Sequence, residues 1–150
     1  MKEGIVYTTG YTGKKPDDLK ALVDRLGARL VDVRFSPHSR WAKHWERDAL
    51  IKLLGPAYYH LVHFGNQAFK QKRIEIFDFF AGMRWLSQHF VDNPNQPVIL
   101  MCGCKEYQTC HRKELSERLQ LMNYHVEELS SWTQGQDSFF SKWERVIKTM

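Results

Sequence analysis

A chain of 150 residues, 43% hydrophobic and 26% charged, is most simply one domain spanning 1–150, with length enough for a real core and a composition that excludes a disordered or fibrous protein. No apolar run reaches the roughly 18 residues of a membrane span, and the N-terminal MKEGIVYTTGY is too weakly apolar for a secretory leader. The three cysteines fall in one cluster, which argues against a secreted disulfide framework. The expectation is therefore a cytoplasmic protein without membrane contact, whose net charge of +5 favours an anionic partner, a nucleotide or a nucleic acid.

The chain alternates strand-like and helix-like segments. Gly4–Gly10 is a short β-branched and aromatic run. Pro16–Gly27 opens with proline in a first helical turn, places Asp17 and Asp18 at the positive dipole end, and stops at glycine. Ala28–Arg34 reads as a second strand, Glu46–Gly55 as a helix, and Ala57–Phe64 as a third strand. Ile74–Phe90 carries Ile76, Phe79, Phe80, Met83 and Leu86 in helical phase. Pro97–Cys102 is a fourth strand, Cys110–Met122 a helix, Tyr124–Leu129 a possible fifth strand, and Asp137–Met150 a closing helix. This order predicts a single α/β domain: a mostly parallel sheet of about five strands, with helices on both faces.

In open sheets of this kind, ligands bind beyond the carboxyl ends of the strands. Four loops leave those ends here: Thr8–Gly13, Arg34–Trp45, His60–Gln67 and Cys102–Thr109. They hold most of the unusual chemistry. The first, TTGYTGKK, is no Walker loop, but backbone N–H groups around Gly10 could hold an anion. In the second, Asp32 needs a partner on a buried strand, with Arg34 a candidate. Arg34 and Arg40 could fork onto a phosphate. Trp41, His44 and Trp45 interleave with Arg40 and Lys43, a pattern on which bases stack; for Trp45, packing beneath the next helix is the alternative. In the third loop, His60 could be an acid–base group or a structural anchor.

The fourth loop holds Cys102, Cys104, Cys110, His111 and Arg112. With Thr109 as helix cap, Cys110 would occupy the first turn, where the helix end and Arg112 would lower its pKa. The same N–H groups could cradle an anion, and His111 could move a proton. Zinc sites usually use two-residue knuckles. Here Cys-x-Cys precedes an adjacent Cys-His pair, and neighbouring residues rarely aim at one centre. No metal and no other cofactor is therefore expected.

YTTGY (Tyr7–Tyr11), VDVRFSPHSR (Val31–Arg40), YYHLVHFGN (Tyr58–Asn66) and CGCKEYQTCHRKEL (Cys102–Leu115) together resemble the family known as domain of unknown function 488. The resemblance runs from about Ile5 to Leu119. It implies a shared polar site containing Thr8 or Thr9 with Gly10, and Asp32, Arg34, Pro37, Ser39, Arg40, Tyr58, His60, Cys102, Cys110, His111 and Arg112. It names no reaction. Cys104 stands where the family often has an acid, and Asn66 where it often has a second glycine. LVDVR, followed later by a strand, a cysteine loop and a helix, is also similar to rhodanese sulfurtransferases, though CGCKEYQTCHR lacks that loop's length and glycine content.

Three classes of function follow. An enzyme acting on a phosphate-bearing ligand predicts Arg34, Arg40, His60 and Arg112 in one closed pocket, with Cys110, His111 and His60 as reacting groups. A nucleic-acid-binding module predicts a broad basic, aromatic surface around Trp41–Arg47 and Phe69–Arg73. A thiol enzyme predicts an exposed, low-pKa cysteine.

Overall fold

A computed structural model of the chain describes residues 4–38, 40–104 and 106–133. Five strands form one sheet: β1 (Ile5–Gly10), β2 (Arg29–Asp32), β3 (Tyr58–His60), β4 (Val98–Cys102) and β5 (His125–Glu128). Their order is β3-β2-β4-β1-β5, and every neighbouring pair is parallel. Four α-helices accompany them: α1 (Pro16–Leu26), α2 (Arg47–Leu54), α3 (Phe79–Asp92) and α4 (His111–Leu121). The architecture is the α/β fold that the alternation of elements predicts.

Side-chain alternation along buried strands sends successive residues to opposite faces. Val31, Val98, Leu100 and Cys102 pack with Met83 and Leu86 of α3 and with Leu115 and Leu119 of α4. Leu30, Ile99 and Met101 pack on the other face, with Leu19 and Leu22 of α1 and with Leu50 of α2. Trp45 is buried in this second layer, as the packing alternative has it. The α1 boundaries follow their signals: Pro16 opens the helix, and Gly27 closes it at φ +59°, a left-handed conformation suited to glycine.

Two boundaries differ from the sequence reading. β3 stops at His60 rather than running to Phe64, and Val62–Phe64 is a single 3-10 turn. Its neighbour β2 ends at Asp32, whose carbonyl accepts a last bond from the Leu61 N–H at 3.0 Å. The long helix begins at Phe79, not at Ile74. Asp78 caps it by accepting from the Ala81 N–H at 3.1 Å. The preceding segment is held by Asn66, whose Oδ1 accepts from the N–H groups of Ala68 and Glu75 while its Nδ2 donates to Arg73 O. The closing helix expected at Asp137–Met150 lies outside the described residues. Among the described residues, no helix is long and apolar enough to cross a membrane.

Connectivity places a crevice at the centre of the sheet. The chain leaves β1 through α1 toward β2, on one face. It leaves the adjacent β4 through α4 toward β5, on the opposite face. Gly10 and Cys102, the last residues of these two strands, stand side by side in the register. This is a topological switch point, where open α/β sheets present ligand sites.

Candidate functional site

Asp32 ends β2 with no solvent exposure, and a carboxylate there must be fully partnered. Arg34 supplies most of what it needs. Its Nε donates to Oδ1 at 2.9 Å, its Nη2 to Oδ2 at 2.7 Å and its backbone N–H to Oδ1 at 3.1 Å. Tyr58, from the neighbouring β3, adds a hydroxyl donated to Oδ2 at 2.6 Å. The arrangement is a bidentate ion pair with its remaining lone pairs satisfied. Burial and the Asp32 carboxylate both push the Tyr58 hydroxyl above its ordinary pKa. Burial alone would lower the Arg34 pKa, but hydrogen bonding and charge from Asp32 outweigh it. His60 Nε2 donates to the Arg34 carbonyl at 2.7 Å, so it anchors the loop. Tyr11 lies under the guanidinium, with its ring centroid 5.3 Å away.

A second cluster occupies the switch point. Cys102 Sγ lies 3.0 Å from Cys110 Sγ. Arg112 Nη1 donates to Cys102 Sγ at 3.2 Å and to the Cys104 carbonyl at 2.9 Å. The other edge of its guanidinium forks onto Glu128, with Nη2 to Oε2 at 2.9 Å and Nε to Oε1 at 3.1 Å. Thr8 donates a hydroxyl to the same carboxylate at 2.6 Å. Gly10 is required by this packing: a Cβ there would run into the Cys104 carbonyl and the Arg112 guanidinium. Gly10 thus makes room for Arg112.

Cys110 differs from the sequence reading in two ways. It is itself the N-cap of α4, in place of Thr109, with φ −100° and ψ 149°, and its Sγ accepts from the Arg112 N–H at 3.5 Å. Its thiol is also not activated. Hydrogen bonding with Cys102 lowers its pKa, but bonding with Cys104 and burial outweigh this and push it up to about 11. Cys102 is pushed up to about 12 and Cys104 to about 11 by the same mutual bonding and burial. His111 Nε2 lies 2.8 Å from Val33 O and donates to it, because a carbonyl can only accept. Burial, helped by the nearby Arg112 charge, lowers the His111 pKa. A neutral ring with its proton on Nε2 leaves Nδ1 as an acceptor, 3.7 Å from Cys110 Sγ.

The extended cap conformation of Cys110 has a further effect. It lets Cys110 and His111 aim inward together, contrary to the expectation that neighbours diverge. One donor atom each from Cys102, Cys104, Cys110 and His111 lies within 4.8 Å of all the others. These four residues could hold a metal ion.

The sequence-selected residues thus fall into two adjoining networks joined by the His111–Val33 bond and by Tyr11, which reaches from beneath Arg34 to pack against Gly103. Of the three arginines expected to converge on an anion, Arg34 and Arg112 are turned onto Asp32 and Glu128. Arg40 is exposed on the loop after β2, and Ser39 lies outside the described residues. Glu128 and Tyr11 were not selected from the sequence as site residues. Glu128 closes the Arg112 network from β5, where Thr8 stands opposite it in the register.

Outside these networks, the loops after β2 and β3 form a different surface. Trp41 is 94% exposed and Phe69 70% exposed. Phe35 and Phe77 meet edge to face at 5.6 Å and join the two loops. Arg40, Lys43, Lys70, Lys72 and Arg73 are all exposed around them.

Residues 10–119 match the family described as "Domain of unknown function DUF488". No curated protein and no solved structure matches the chain.

Proposed function

The chain belongs to the DUF488 family, and from that premise we propose that it binds a phosphate-bearing ligand, single-stranded nucleic acid, on the exposed face formed by the loops after β2 and β3. The carrying observation is where exposed cations and exposed rings coincide. Arg34 and Arg112 are spent on internal carboxylates, which disfavours a closed phosphate pocket. Arg40, Lys43, Lys70 and Lys72 face solvent beside Trp41 and Phe69. Cations placed this way neutralise a backbone, and the rings accept bases in stacks without regard to sequence. Thiols pushed upward and buried also disfavour the rhodanese-like alternative, which needs a thiolate. Arg34, locked onto Asp32, then helps to fix the base of the loop after β2.

Fluorescence anisotropy with a labelled single-stranded oligonucleotide tests this reading. Contact with about four phosphates should weaken affinity about 50-fold between roughly 50 and 200 mM salt. Reversing Lys70 and Lys72 to Glu should reduce both the affinity and the salt slope. Absence of binding at low salt, or binding indifferent to the reversal, would refute it.

A further inference from the structure

We infer that Cys102, Cys104, Cys110 and His111 form a tetrahedral site for a transition metal ion, zinc by preference. This goes beyond nucleic-acid binding and stands on a different part of the molecule. Three sulfurs and one imidazole nitrogen are a donor set that zinc favours, and four protein ligands make a closed, structural site. With sulfur at about 2.3 Å from zinc, tetrahedral ligands stand about 3.8 Å apart. The donor atoms here lie within 4.8 Å of one another, and Cys110 Sγ is 3.7 Å from His111 Nδ1. The Cys102 and Cys110 sulfurs, at 3.0 Å, need to part slightly to admit the ion.

The surroundings are those of a ligand set. Val33 O holds the far nitrogen of His111 at 2.8 Å. This fixes the tautomer with Nδ1 toward the sulfurs, the outer-sphere arrangement that metal-bound histidines show. The Arg112 N–H points at Cys110 Sγ and its guanidinium at Cys102 Sγ. Three thiolates and a divalent ion leave one excess negative charge, and the Arg112 guanidinium, shared with Glu128, donates toward it at Cys102 Sγ. Each thiol releases its proton on ligation.

The competing fate of two sulfurs 3.0 Å apart is a disulfide, so the test separates the two. The full chain, purified under reducing conditions, is dialysed with Zn2+ and freed of excess ion. Metal content and free thiols are then measured, and Co2+ is substituted. One zinc per chain is expected, together with intense tetrahedral d–d bands and sulfur-to-cobalt charge transfer. Cys104 is only half-buried, so Cys104→Ser should fold, as circular dichroism will verify. It should lose well over about 100-fold in Co2+ affinity, beyond the roughly 10- to 100-fold that the loss of an outer-sphere partner causes. Three free thiols with no bound zinc would overturn the assignment. So would a Cys102–Cys110 disulfide in place of metal, or a cobalt spectrum unchanged in both Cys104→Ser and His111→Gln.

Discussion

Two polar clusters sit side by side under the same carboxyl ends, and they are built on opposite principles. Around Asp32 every lone pair is answered: Arg34 forks onto it and Tyr58 completes it. Around Cys102 three sulfurs and a ring nitrogen converge within 4.8 Å of one another, linked only by weak thiol hydrogen bonds. A closed network of the first kind holds loops in place. A convergent set of the second kind is stabilised by a cation. The difference teaches that buried polarity is best judged by whether its bonding is complete.

Removing one partner from each network should expose this difference. Asp32→Ala strands a buried guanidinium and should cost about 3–5 kcal/mol in urea unfolding, the largest loss among these variants. Tyr58→Phe removes one hydrogen bond to the carboxylate and should cost about 1.5–3 kcal/mol, measured the same way. Glu128→Ala should cost about 1–3 kcal/mol, since that carboxylate is partly exposed. If metal thiolates offer Arg112 a second counter-charge, this loss should shrink in zinc-loaded protein, whereas the Asp32→Ala loss should not. Equal zinc effects on both would erase the distinction between the clusters.

A smaller effect separates two buried histidines. Burial holds the His89 pKa below its ordinary value, as it does for His111. The unfolded chain then takes up the proton first. Stability is complete above about pH 6.5 and falls as pH drops below it. His89→Gln should flatten part of that slope, and the remainder should belong to the cluster around His111; an unchanged slope would exclude His89. The smallest effect on stability should come from Trp41→Ala, within about 0.5 kcal/mol. On oligonucleotide affinity it should cost about 1–3 kcal/mol.

Much of this architecture is legible in the residue order. Pro16 and Gly27 bracket α1 because their backbone preferences are local. Asp32, His60 and Cys102 could be placed at strand ends because parallel strands bounded by loops have few other arrangements. The start of the long helix was obscured because Ile74 and Ile76 continue its apolar phase, although Asn66 holds that segment in a loop. Glu128 was missed because its partnership with Arg112 depends on β5 lying beside β1, a fact no local pattern carries. The convergence of Cys110 and His111 was hidden for a related reason. Spacing rules assume regular backbone, and one extended residue at a helix cap redirects the first of the pair.

The strand order also sets a schedule. β4 lies between β1 and β2, yet it begins about two-thirds of the way along the chain, after both. β2 can pair with β3, but β1 has no neighbour until Val98–Cys102 has been synthesised, and it gains its outer neighbour only with β5. Pairings so distant in sequence make for slow, cooperative folding. A nascent chain halted before Val98 would expose the buried edges of β1 and β2, and the cysteine cluster would form in the same late event that completes the sheet.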